Sequence, residues 1–389
     1  MSGRRVPLFV LALLASFGFV PVVSAHGGHV SVNGVHLSQW YGLIPLVLGI
    51  AIVLGSRYLP RILRPAYAKY ELYGVFAGLV VAVFGAIWLV QLSPVEWYTV
   101  KPLIPRSLHA RLMLLIGAVI MLASVLGGQL RWPRRPRYAG LGVLLGCWVA
   151  YPGLSAFGIY TDNNPLGYLL VFALAGALCY VLWRDARGVI RRLYADRVAR
   201  RFGIAVGLLS IVFFTFSTGM LYVVPDEGVG ISLSQRIIAI MPVSDPLVIW
   251  PALEFWLPRV PIGGMISVGT ALLIGLFGGL IGLNAALFAF QSERSASTGA
   301  SQTTAGVAGV AAPQACCCCG PALAQIAVVT LGPSAAAPIY LLFADPTSSI
   351  GSLFFVASVA ILTGTLIYAG RNTPRSSSAQ QTVPSGQSS

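Results

Sequence analysis

Histidine and acidic residues are scarce in this 389-residue chain: four His, and eleven Asp and Glu together. No Asp or Glu falls in the middle of an apolar run; Glu71 sits at a boundary and the others lie in loops. Proton-coupled pumps normally carry ionisable groups within the bilayer, so this absence argues against a proton relay. Only His109 comes near a span, which excludes haem held by two intramembrane histidines. No phosphate-binding loop, aspartyl-phosphate motif or hydrolase constellation is visible, so neither nucleotide nor enzymatic activity is expected. The cysteines, Cys147, Cys179 and Cys316 to Cys319, all avoid segments assigned to the outside. A disulfide framework is therefore not implied. The same gap argues against a thiol oxidoreductase passing electrons to an external disulfide.

What the chain has in excess is apolar sequence. It is 57% hydrophobic and only 9% charged, with a mean hydropathy of +0.81. Apolar runs of about 20 residues read as transmembrane helices, because only internally hydrogen-bonded backbone is stable in hydrocarbon. The pattern predicts an all-α polytopic membrane protein of about nine spans, near 40–58, 71–93, 109–129, 139–160, 166–183, 203–224, 262–290, 317–343 and 350–370. The lipid bilayer is the implied partner. The net charge of +14 comes from basic residues clustered between spans, which is a topology signal rather than a nucleic-acid footprint.

Residues 1–25 read as a signal peptide cleaved after Ala25, with an uncleaved anchor as the alternative: Arg4 and Arg5, an apolar stretch from Leu8 to Val20, then small Ser24 and Ala25. If the first span enters from outside, the loops on the cytoplasmic side carry eighteen Lys and Arg against five on the other. The positive-inside rule then sets the mature N-terminus outside and the C-terminus cytoplasmic, with the plasma membrane as the expected location. The expected organisation is an outer hairpin at 26–39 and a seven-helix core at 40–290. A cytoplasmic linker at 291–315, a Cys-bearing helix with the final helix at 316–370, and a disordered tail at 371–389 complete it. The outer loop 225–261 is expected to hold short surface helices, from a capping-box pattern at Ser232 and Gln235 and from Asp245-Pro246, anchored by Trp250 and Trp256.

Three of the four histidines lie in "HGGHVSVNGVH", from His26 to His36. Alternation around Asn33-Gly34 predicts a two-residue hairpin pairing Val32 with Val35, Ser31 with His36, Val30 with Leu37 and His29 with Ser38. His29 and His36 then become diagonal neighbours on one face, about 7 Å apart or less. After signal cleavage His26 would offer an α-amine and an imidazole together, a good Cu(II) chelate. His109 lies at the outer end of its span with Met113 one turn deeper on the same face. Imidazole suits copper, zinc, iron or nickel, and the intrinsic affinity order favours copper.

The remaining chemistry is in "ACCCCGPALAQIAVVTLGP", with Cys316, Cys317, Cys318 and Cys319 at the cytoplasmic start of a helix whose first turn holds Pro321. A helix N-terminus lowers thiol pKa, and thiolates there select Cu(I), Zn(II) or Hg(II). Cys317-Cys318-Cys319-Gly320-Pro321, with the apolar run to Leu331-Gly332, resembles the Cys-Cys-x-Gly-Pro first helix of mercuric-ion transport proteins. The resemblance covers about 20 residues. It implies that Cys317 and Cys318 form a metal-accepting pair, with Cys319 at the variable position and Cys316 additional.

Methionines Met113, Met220 and Met265 fall towards outer ends, Met121 near the middle, and Cys147 and Cys179 in inner halves. The whole pattern leads to one expectation: soft-metal handling, with capture at outer histidines and receipt at inner cysteines, and a metal donor or acceptor protein as partner. The alternative is a structural or assembly subunit. Gly332-Pro333 and Pro338 interrupt the eighth span, which leaves full crossing and re-entry both open. Gly275, Gly278, Gly279 and Gly282 give two overlapping GxxxG patterns for helix packing.

Overall fold

The computed structural model describes residues 29–32, 35–62, 71–92, 105–157, 164–223, 237–243, 246–257, 262–298, 326–331 and 349–372. A hairpin of β1 (His29–Val32) and β2 (Val35–Ser38) leads through a 3-10 turn at Gln39–Gly42 into α1 (Leu43–Ile62) and α2 (Glu71–Gln91). Then come α3 (Arg106–Arg131), α4 (Pro136–Ala150), α5 (Pro165–Asp185), the short α6 (Arg187–Ala195) and α7 (Arg197–Ser217). Strands β3 (Leu221–Val223), β4 (Ile237–Val243), β5 (Trp250–Leu257) and β6 (Ile262–Ser267) precede α8 (Val268–Thr298) and α9 (Ser349–Asn372).

Seven of the described helices are long and apolar enough to cross a membrane. Two expected spans are not among them. The one at 139–160 becomes a 15-residue α4 followed by a 3-10 helix at Tyr151–Phe157. Pro152 has no N–H for the carbonyl one turn back, so the α-helix stops at Ala150. The span at 317–343 lies outside the described residues except for helical 326–331. Signal peptide, C-terminal tail and most of the 291–315 linker also lie outside them, although α8 continues helical to Thr298, past the expected limit at 290.

Helices pack as pairs, α1 with α2, α3 with α4 and α7 with α8, each closed by glycines that let backbones touch. A Cβ added to Gly117 would meet the Gly146 oxygen at 2.6 Å, and one added to Gly203 would meet that of Gly282 at 2.7 Å or less in either direction. Of the two GxxxG registers in α8, Gly278 and Gly282 face α7, while Gly275 and Gly279 face open space. The final helix α9 lies among these pairs, touching α3, α4, α5, α6 and α8. Trp148 stacks on Phe355 with ring centroids 4.6 Å apart, and Val359, Leu362 and Leu366 are fully buried.

The two ends of the bundle differ in chemistry. At one, Arg137 and Arg135 from the start of α4 hold Asp185 at the end of α5; Arg137 donates twice, at 2.6 and 2.5 Å. Two of the arginines that mark topology are thus also structural. The Asp196 carboxylate caps α7 by accepting from the Val198 and Ala199 N–H groups. At the other end, the Gln91 amide donates to the carbonyls of Phe216 and Leu221, and the Gln39 amide donates to Leu89 O at 2.8 Å.

Chain direction follows from these ends. Ser352, near the start of α9, touches Met113 near the start of α3, whereas Gly370 lies by Asp185 and Val189 at the arginine-rich end. Both α8 and α9 therefore run towards the arginine-rich end, and residues 299–348 connect opposite ends of the bundle.

The short helices expected within 225–261 are corrected to strands. An antiparallel sheet of order β3-β6-β5-β4 covers the second end. Pro242 and Pro251, opposite each other in the β4–β5 ladder, are incompatible with helix interiors and harmless there, because β6 pairing begins only at Ala252. The tryptophans are not interfacial anchors either. Trp250 and Trp256 point inward, and the Trp250 indole N–H donates to Pro246 O at 3.0 Å while its ring meets Tyr168 edge-on. Leu247, at φ 61°, makes the turn that delivers it. The sheet's outward face is apolar: Ile238, Ile240, Leu253 and Ile266 are all exposed.

Candidate functional site

The N-terminal hairpin forms in the expected register: His29 opposite Ser38, Val30 opposite Leu37, Ser31 opposite His36 and Val32 opposite Val35. His29 and His36 therefore occupy diagonal register positions. The strand is followed at once by Gln39, buried and fixed to the end of α2, so the hairpin is tethered at the sheet-bearing end of the bundle. His26 lies outside the described residues, as do Cys316, Cys317, Cys318 and Cys319.

Helix α3 carries the other imidazole and two thioethers. Pro105 precedes it in an extended conformation, and the His109 N–H closes the first turn on Pro105 O at 2.9 Å. His109 is half-buried there. Four residues on, Met113 is fully buried, and the Ser352 hydroxyl of α9 points at its sulfur from 3.9 Å. Gly117 follows at the same spacing and brings α4 against α3. Met121 then lies across Gly146, and its Sδ is 3.6 Å from the Cys147 Sγ. His109, Met113 and Met121 thus descend one face of α3 at intervals of four and eight residues, over about 18 Å.

That contact sets two of the sulfurs side by side. Because α4 ends at Ala150, Cys147 lies about 16 Å from its arginine-rich start, level with Met121, which is about 15 Å from Arg131. Cys147 and Met121 thus lie at one level of the helix pair. Cys179 is exposed on the outside of the bundle. Met265 meets Met220 through the backbone, its N–H donating to Met220 O at 2.9 Å. Among the described residues, no group of three or more His, Cys, Asp or Glu comes together to hold a metal.

A polar element absent from the sequence reading is Asn284, 2% exposed within α8. Its amide donates to Leu280 O at 2.8 Å and to Leu362 O of α9 at 3.1 Å, while Thr365 of α9 donates to its side-chain oxygen. Nearby on α9, the buried Ser358 and Thr363 hydroxyls have no hydrogen-bond partner. The signal was available in principle, since Asn284 is the one amide side chain inside that apolar run. A lone Asn in a span is costly unless another helix satisfies it.

The chain matches no protein-family model, no curated protein and no solved structure.

Proposed function

We propose that this multi-pass membrane protein handles a soft transition metal, copper by preference, as cargo. The observation that carries the reading is the Cys147–Met121 contact at 3.6 Å, at mid-depth on the helix that also presents Met113 and His109. A metal ion about 2.3 Å from each sulfur would see them at about 100°, near the tetrahedral angle. Thiol and thioether together favour Cu(I) over harder ions, and imidazole at the entrance suits the oxidised ion. Capture would fall to His26, His29, His36 and His109. Receipt at the far side would fall to Cys316, Cys317, Cys318 and Cys319, the segment that resembles the mercuric-ion transporters. Zinc or mercury is the alternative cargo, and a metal donor or acceptor protein is the implied partner.

The same reading places the chain in the plasma membrane with the hairpin and sheet outside. It takes nine crossings, with α4 plus its 3-10 extension and the 299–348 connection as the two beyond the seven long helices. The parallel directions of α3 and α5, and of α8 and α9, support that count, since each pair needs a return between its members.

The deciding experiment is elemental analysis of detergent-purified protein, expressed with its N-terminal segment and reconstituted with Cu(I), Cu(II) and Zn(II). At least one equivalent of copper per chain, reduced by Cys147→Ser, supports the proposal; a protein that stays empty refutes it. The second reading is an assembly subunit. The exposed apolar face of the sheet, Ile238, Ile240, Leu253 and Ile266, favours it. It expects no stoichiometric metal and a co-purifying protein lost on replacing Ile240 and Leu253 with Ser.

A further inference from the structure

The outward side of the α7–α8 pair holds a groove of about 380 Å³. Its floor is Gly275 and Gly279, where an added Cβ would meet nothing within 4 Å. Its wall is Ile204 and Leu208 of α7, both more than half exposed. At one end it closes beneath Tyr194 of α6 and Arg200 of α7.

Extent and charge say what fits. Along α8 the lining runs from Gly275 to Ala286, about 16 Å, roughly half of a 30 Å hydrocarbon core. A partner helix would require a seam through both leaflets; this groove occupies one. Its mouth lies where α6 buries Val189 and Leu193 against the bundle and turns Arg187, Arg191 and Arg192 outward. Arg197, Arg200 and Arg201 continue that exposed basic surface on the first turns of α7. Arg200 is held in place by donating to Tyr194 O at 3.0 Å. Two acidic groups lie near: Asp196, committed to capping α7, and Glu293 near the end of α8. The surplus remains positive. Amphipathic basic helices at a bilayer surface attract anionic headgroups.

We propose that this groove binds one anionic phospholipid, an acyl chain lying over Gly275 and Gly279 and the phosphate held at Arg200 and its neighbouring arginines. The site is independent of metal handling.

The test is native mass spectrometry of the delipidated full-length protein titrated with phosphatidylglycerol and with phosphatidylcholine. Wild type should retain one phosphatidylglycerol with at least fivefold preference over phosphatidylcholine. Gly279→Leu should lose both lipids without a fall in melting temperature, because the new side chain enters open space. Gly275→Leu serves the same purpose should Gly279→Leu fold poorly. Arg200→Gln should still bind lipid but lose the preference. Equal binding of both lipids by wild type would overturn the proposal. So would wild-type retention in both glycine variants, or a polypeptide crosslinked to the thiol of a Gly279→Cys variant in native membranes.

Discussion

The Cys147 sulfur lies 3.6 Å from the Met121 sulfur, across a helix pair that Gly117 and Gly146 draw together. The closeness depends on those glycines, because a Cβ on Gly146 would occupy the position of the Met121 side chain. If the pair holds metal, Cys147→Ser and Met121→Leu should each weaken Cu(I) binding at least tenfold in a competition titration. Both changes nearly conserve volume, so the melting temperature should move little. Unchanged affinity in both variants would mean that the contact is packing alone.

Gly282 and Gly279 make opposite predictions from adjacent faces of one helix. Gly282→Val forces a side chain into the Gly203 backbone and should cost about 1–3 kcal/mol, the usual range for overpacking. Gly279→Val should cost close to nothing. Thermal unfolding in one detergent compares the two directly; equal losses would contradict the assigned register.

Asn284 ties α8 to α9. Replacing it with Leu removes the donation to Leu362 O and the acceptor for Thr365, and should destabilise by about 0.6–1.7 kcal/mol. Thr365→Val should cost less, and the double variant should cost less than the two changes summed. Strict additivity would show that the two side chains are not coupled.

Asp185 is 5% exposed at its side chain and holds two arginines. Asp185→Asn removes the charge but not the shape, leaving Arg137 without its partner; the expected loss is about 3 kcal/mol. Arg135, with its more exposed side chain and single 3.3 Å contact to Asp185, should matter less: Arg135→Gln is expected below about 1 kcal/mol. A larger effect from Arg135 than from Asp185 would reverse the reading.

Trp250 anchors the sheet to the bundle through Pro246, Tyr168 and Phe172. Trp250→Ala should loosen the sheet, raising protease cleavage between 224 and 261 in the detergent-solubilised protein while the long helices stay protected. Uniform cleavage of all loops would indicate that the whole fold had been lost instead.

Local pattern and tertiary context divided this protein between them. Seven of the nine expected apolar spans and the hairpin register from His29 to Ser38 were legible in the sequence. A span is set by about 20 consecutive residues and a two-residue turn by its own Asn33-Gly34. The β3–β6 sheet was not, because its pairing joins Leu221 to Gly264 over more than forty residues, and a capping pattern at Ser232 carried no information about that partner. The glycine stripe in α8 announced close packing, yet only the neighbouring helix decided that Gly278 and Gly282 would be the seam and Gly275 and Gly279 the open floor. Likewise Met121 and Cys147 were each visible as isolated sulfurs. Their meeting depends on how deeply α4 sits against α3, and backbone-to-backbone packing sets that depth. No helical periodicity records it.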